Sequence, residues 1–241
     1  MTDIPRRSLA AGAGLLVGAI AVGAHARQLA QQAAPQLSSV VTVPKFITKP
    51  LVFNPEKIKG LSAGLLRGHH DNEYAGVVKR LNTVCEELAK VDFADTPAPR
   101  IGELKREEQI AHNSSILHEI YFDGIAEAPS QPSGLLAQAM SRDFGSLERW
   151  QAEFVGTGKS LDSGSGWVIL AYSARDKRLF NQWAADDSMA PAGGVPLLAM
   201  DMYAHAYAAD YGTDAPKYIE AFVRAIKWTN AERLYREAMR V

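Results

Sequence analysis

A single cysteine, Cys85, stands in a chain of 241 residues. One thiol closes no intrachain disulfide, and a cysteine-based zinc site is excluded by the same count. Charge of one sign is not in excess either. Basic side chains number 26 against 27 acidic ones, a net charge of -1. That leaves no sign of the basic face by which proteins hold nucleic acid, so no nucleic-acid partner is expected. Long apolar runs are scarce. The clearest, Leu9 to Gly23, is short for a spanning helix, which needs about 20 apolar residues. No internal repeat is visible. What remains, with 47% hydrophobic and 22% charged residues, is ordinary globular composition with enough chain for a sizeable core.

Residues 1–26 read as an address and not as fold. Arg6-Arg7 supply a charged start, the Gly/Ala-rich run follows, and Ala24-His25-Ala26 is a small-x-small cleavage site. Arg6-Arg7-Ser8-Leu9 resembles a twin-arginine export signal, a route taken by folded and often metal-loaded proteins. A periplasmic or otherwise exported location is expected. If retained, the segment would anchor the chain at the membrane, and a protein or membrane partner would follow. Residues 27–45 carry no clear periodicity and read as a tether.

Beyond the tether the pattern is helical. Ser62 is the expected cap of a helix running to about Val91, with Val77, Leu81, Val84, Leu88 and Val91 as its buried stripe. Asp92 to Pro99 breaks that pattern, and a second helix spans about Glu103 to Phe122. Together these make an antiparallel helical hairpin, residues 46–128. The remainder, 129–241, opens with helices at 133–142 and 146–155, capped by Ser133 and Ser146. Strands follow at 167–173, 178–183 and 195–200, then helices at 216–228 and 230–240. The expected class is α+β: a helical hairpin plus an α/β domain with a three-stranded antiparallel sheet.

The residues with most chemistry are Asp201 and His205, four apart where the third strand gives way to a helical segment. Upstream lie His69, His70, His112 and His118. Imidazoles plus a carboxylate suit iron, manganese or zinc. Taken singly, a helical histidine is more often a hydrogen-bonded core residue than a ligand, and periodicity does not choose between His69 and His70.

The order of the motifs is more specific. Leu-Ser-Ala before His69, Leu-His118-x-x-Tyr-Phe, Gly164-Ser165-Gly166-Trp167, Asp201-x3-His205-Ala206-Tyr207, Asp210-Tyr211 and Tyr218-Ile219-x-x-Phe222 with Trp228 follow one another. This series resembles the iron/manganese superoxide dismutase family from about Phe46 to Ala238. The resemblance implies a mononuclear centre held by His69, His118, Asp201 and His205, one ion per chain, with iron favoured over manganese. It implies superoxide as substrate, disproportionated to dioxygen and hydrogen peroxide. Trp167 and Tyr121 would be the aromatics around the centre.

The same resemblance exposes departures. Where the family has a histidine and a tyrosine, four and eight residues after the first ligand, this chain has Glu73 and Val77; Tyr74 is the candidate to replace the tyrosine. A glutamate at the mouth would repel an anionic substrate. The glutamine that tunes the centre is replaced by Ser114 at one of its two family positions. At the other stands Gln182 or Asp187, with Asp187 favoured. Tyr203 stands for tryptophan. Ala204 stands for the glutamate that bridges to the partner subunit, so a homodimer would lack that bridge. These changes motivate an alternative, a catalytically impaired relative with a structural or partner-binding role.

Overall fold

In the computed structural model, which describes residues 41–161, 164–190 and 192–240, the first ligand-bearing helix starts at Ser62. Its Oγ accepts from Leu65 N–H at 3.1 Å, satisfying one of the free amides of a helix start. Helix α1 (Ala63–Gly68) runs into a π turn (His69–Tyr74) and on into α2 (Ala75–Leu88). The single uninterrupted helix read from the sequence is corrected here. A π turn spends an extra residue per turn and so shifts the buried face. The stripe that faces inward is Tyr74, Val78, Leu81 and Val84. Val77, expected on it, is only half-buried.

Helix α3 (Ala98–Asp123) begins five residues before the expected Glu103. Pro97 caps it and Pro99 lies in its first turn, where the missing amide costs nothing. Helices α4 (Gly134–Phe144) and α5 (Leu147–Lys159) follow. Ser146 caps α5 through Arg149 N–H. Ser133 does not cap α4; its amide and hydroxyl go to Glu232 instead.

The sheet has order β2-β1-β3, all antiparallel: β1 Trp167–Ser173, β2 Arg178–Ala184 and β3 Gly194–Asp201. Central β1 is buried at every residue, which explains its unbroken apolar run. Pro196 sits in β3, an edge strand, beside the register shift at Leu170/Ala171, where a missing donor is tolerated. The register pairs Trp167 with both Ala184 and Asp201. One end of the sheet therefore gathers Trp167, Asp201 and the loop after β2.

A 3-10 turn (Ala204–Ala206) and a short α6 (Ala208–Tyr211) lead to α7 (Ala215–Ala225) and α8 (Trp228–Ala238). The break between these last helices falls at Ile226-Lys227, earlier than expected. There Ile226 bridges Ile125, and Lys227 N–H donates to Gly124 O at 2.8 Å, drawing the chain out of the helix. Thr42–Val241 form one compact unit. A common core joins Tyr74, Leu117 and Tyr121 of the hairpin to Trp167, Met200, Tyr218 and Phe222. A satellite cluster of Leu81, Val84, Leu104 and Ala111 closes the hairpin's far end. Among the described residues no helix is long and apolar enough to cross a membrane. The expected export signal, residues 1–26, and all but the end of the expected tether lie outside the described residues.

Candidate metal centre

Asp201 ends β3, fully buried. Three features hold it. Tyr203 N–H donates to Oδ1 at 2.7 Å, and the Tyr218 hydroxyl donates to the Asp201 carbonyl at 2.6 Å. Behind it, Met202 N–H and Ala204 N–H donate to Gly166 O and Gly164 O. Gly166 has φ +105°, and a Cβ there would meet Ala184 O at 2.3 Å. Only glycine fits, which is the physical reason for the Gly-Ser-Gly-Trp block.

With Oδ1 occupied, Oδ2 is left to face three imidazoles. His69 Nε2 stands at 3.0 Å, His205 Nε2 at 3.1 Å and His118 Nε2 at 3.7 Å. One donor atom from each of the four residues lies within 4.8 Å of every other. The π turn settles the choice left open by periodicity. It turns His69 inward with Tyr74, while the ring nitrogens of His70 reach Asp71 and Lys49 O.

The donor chemistry fits a cation. His118 Nδ1 lies 2.7 Å from Ser114 O. A carbonyl only accepts, so this nitrogen carries the proton and Nε2 keeps a lone pair. Burial lowers the His118 pKa to about 4, so the ring is neutral and its lone pair points at a carboxylate. Burial also lowers the pKa of His69, against the pull of Asp201. Among the described residues, neither ring nitrogen of His69, nor His118 Nε2, has a hydrogen-bond partner. A buried polar group left so costs about 1–3 kcal/mol. Acceptors aimed at an acceptor are repulsive until a cation lies between them. Metal–ligand bonds of about 2.1 Å at right or wider angles give donor separations of roughly 3.0–3.6 Å; His69 and His205 stand in that range from Oδ2, at 3.0 and 3.1 Å, and His118 just outside it at 3.7 Å. Burial would raise the pKa of Asp201, but His205 and His69 outweigh it and hold the carboxylate well below its ordinary range. It is an anion.

Aromatic rings close the inner side. Tyr121 and Phe122 lie 4.8 and 5.0 Å from the His69 ring, and Trp167 lies 5.1 Å from that of His118. His205 is the outward ligand, its side chain 28% exposed.

The C-terminal domain model of iron/manganese superoxide dismutases matches residues 132–234. A "Superoxide dismutase [Fe]" of Cupriavidus metallidurans is 51% identical over 192 residues, covering 80% of this chain and 97% of that protein. The chain belongs to the iron/manganese superoxide dismutase family. More distant members include a "Superoxide dismutase [Mn] 1" of Halobacterium salinarum, 33% identical over 74% of this chain and 88% of its own length. A "Superoxide dismutase [Fe]" of Aquifex aeolicus is 31% identical over 77% and 89%.

Against that family pattern, the substituted positions fall as follows. Asp187 is outside the four-residue donor cluster. Its carboxylate accepts from Trp167 Nε1 at 3.0 Å and from the Tyr203 hydroxyl at 2.9 Å. Those two rings lie against His118 and His205 respectively. Gln182, the other candidate, sends its amide to Met189 O. Ser114 contributes its backbone carbonyl to His118, with its hydroxyl 3.4 Å from the same nitrogen. The Tyr74 ring stacks 6.0 Å from His118, but its hydroxyl donates to Glu119 and accepts from Lys49 N–H, both at 3.1 Å. Burial pushes its pKa up to about 12. Two supports carried no sequence signal, the Ser114 carbonyl and the Tyr203 amide; both act through backbone, where side-chain identity does not show. The Tyr218 hydroxyl belongs to a residue the motif series contains, though its role toward Asp201 is seen only in the fold.

Proposed function

We propose that His69, His118, Asp201 and His205 hold one redox-active ion and that the chain is a superoxide dismutase. The observation that carries this is the single carboxylate oxygen facing three imidazoles at 3.0–3.7 Å in a buried pocket. When bound, iron supplies the one-electron exchange by which two superoxide anions and two protons become dioxygen and hydrogen peroxide. The protein's part is to fix the donors, balance charge with Asp201, and keep the inner side dry with Tyr121, Phe122 and Trp167. Solvent and substrate reach the centre from the His205 side. The Trp167–Asp187–Tyr203 chain of hydrogen bonds backs the rings of His118 and His205. Iron is favoured over manganese because the 51% identical relative is named as an iron enzyme and the Halobacterium manganese relative is 33% identical; the donor set alone suits either.

The test is metal content followed by superoxide-decay kinetics of the loaded protein. Stoichiometric iron with turnover far above the free-ion background is expected. Bound iron without such turnover would replace this reading with that of a non-enzymatic relative.

The proposal includes an exported protein, from the Arg6-Arg7 signal with Ala24-His25-Ala26 as cleavage site. N-terminal sequencing of the exported form should begin at Arg27. A homodimer without a glutamate at position 204 completes the picture.

A further inference from the structure

The three imidazoles differ in what steadies the nitrogen that faces away from Asp201. For His118 it is the Ser114 carbonyl at 2.7 Å. His69 Nδ1 has no hydrogen-bond partner among the described residues, and its ring lies against Tyr121 and Phe122 instead. The His205 ring is stacked on Tyr203, and among the described residues no backbone acceptor reaches its Nδ1. The group that faces this atom is a carboxylate, Glu73 Oε2, at 3.9 Å. On the other side of the same ring, Nε2 lies 3.1 Å from Asp201 Oδ2. The imidazole thus stands between two carboxylates, one buried and one at the surface.

Glu73 is well placed for this and has no competing ion pair among the described residues. Its side chain is 47% exposed, so its torsions are free to shorten a 3.9 Å approach to the roughly 2.8 Å of a charge-assisted hydrogen bond. The residue next to His205 on the chain is Ala204, which offers no acceptor side chain. Glu73 also belongs to the π turn His69–Tyr74. One turn therefore supplies a ligand and the outer support of another ligand.

We propose that Glu73 is a positioning residue of the metal centre: the carboxylate that accepts Nδ1–H of His205 from within the same chain. The inference rests on the metal-centre reading above. A hydrogen bond to Nδ1 fixes the tautomer with the lone pair on Nε2, orients the most exposed ligand ring and raises its basicity. A more basic ligand favours the ferric over the ferrous state. It also makes the orientation of His205 independent of any partner subunit.

The experiment compares wild type, Glu73→Ala and Glu73→Gln, each as the exported protein. Readouts are ferrous-ion affinity, the electron-spin-resonance spectrum of the ferric form and the reduction potential. Glu73→Ala should lose about 10–100-fold in affinity, change the ferric spectrum and move the potential upward. Glu73→Gln keeps an acceptor without the charge. Its affinity should return close to wild type while its potential lies between the other two. Both variants with wild-type spectrum and potential would overturn the proposal. If Glu73→Ala binds poorly through misfolding, seen by circular dichroism, Glu73→Gln decides alone by its potential: shifted upward supports the role, unchanged overturns it. A wild type that binds no iron overturns the metal-centre reading and this role with it, an outcome distinct from iron-loaded variants that match wild type.

Discussion

The inner wall of the site and its outer rim are built by different means. On the inner wall, His69, His118 and Asp201 are buried, and their supports are mostly backbone atoms and packed rings, with the buried Tyr218 hydroxyl on the Asp201 carbonyl. On the rim, His205 is partly exposed and is steadied by side chains alone, Tyr203 stacked 5.4 Å from it and Glu73 at 3.9 Å. Backbone support survives substitution of the residue that gives it; side-chain support does not. The chain's departures from the family pattern accord with this. Ser114 changes the side chain but still presents its carbonyl. Glu73 and Ala204 alter the rim itself.

The largest expected effect separates the two sides by what they cost the apoprotein. His118→Ala and His205→Ala should each abolish stoichiometric iron and dismutation, losing more than the about 100-fold expected of an outer partner. Only His118→Ala should also destabilise the metal-free fold, by about 2–4 kcal/mol for the buried hole it leaves, read from urea unfolding. Equal destabilisation by both would break the contrast.

Trp167→Phe probes the inner wall next. It removes the indole donor to Asp187 and part of the ring against His118, so about 1–3 kcal/mol of stability should go. Iron should still bind. Loss of iron in this variant would make Trp167 a determinant of the donor geometry.

Asp143 supplies a comparison far from both sides. Its carboxylate takes Leu179 N–H at 2.8 Å and pairs with Arg142. Burial would raise its pKa, but those partners outweigh burial and depress it. A depressed carboxylate adds stability that is present above its unfolded pKa of about 3.9 and lost as pH falls through the folded value. Wild type should therefore lose stability below about pH 4 more steeply than Asp143→Asn. At neutral pH that variant should be about 1–2 kcal/mol weaker with iron binding unchanged. Parallel acid limbs would reject this assignment.

The smallest effect concerns the rim. Ala204→Glu adds a second carboxylate beside His205 and should tighten self-association by less than about tenfold, close to 1 kcal/mol. Sedimentation at low concentration measures it. An unchanged mass distribution would show that this face is not an interface between copies.

Much of the fold was legible from apolar spacing: the hairpin, three strands and terminal helices lie where periodicity put them. Helix ends moved where something other than periodicity decides. Pro97 and Pro99 look like breakers in sequence and act as starters in α3. Ile226 looks like the next turn of α7 and leaves it to bridge Ile125. In the site, motif order pointed to the four donors, His69 among them, but helical periodicity alone does not separate His69 from His70, because the extra residue in the π turn has no sequence signature. Sequence context favours Asp187 over Gln182, and spacing alone does not decide between them. Which of two neighbouring polar residues reaches Trp167 depends on how the loop after β2 folds back. The approach of Glu73 to His205 was not legible at all; it joins residues far apart in sequence and appears only when the hairpin meets the turn after β3.

The π turn works like a change of reading frame in a periodic text. Upstream of it one phase is read, downstream another, and both His69 and Tyr74 face inward only because the frame shifts between them. Point substitutions, however drastic, leave that frame intact. Deleting one residue between Gly68 and Ala75 would restore regular winding and rotate everything before it by about a quarter turn, roughly 100°. The ligand position is thus protected against exchange of neighbours and vulnerable to a change in length, which gives this short segment a fixed residue count where a loop would tolerate several.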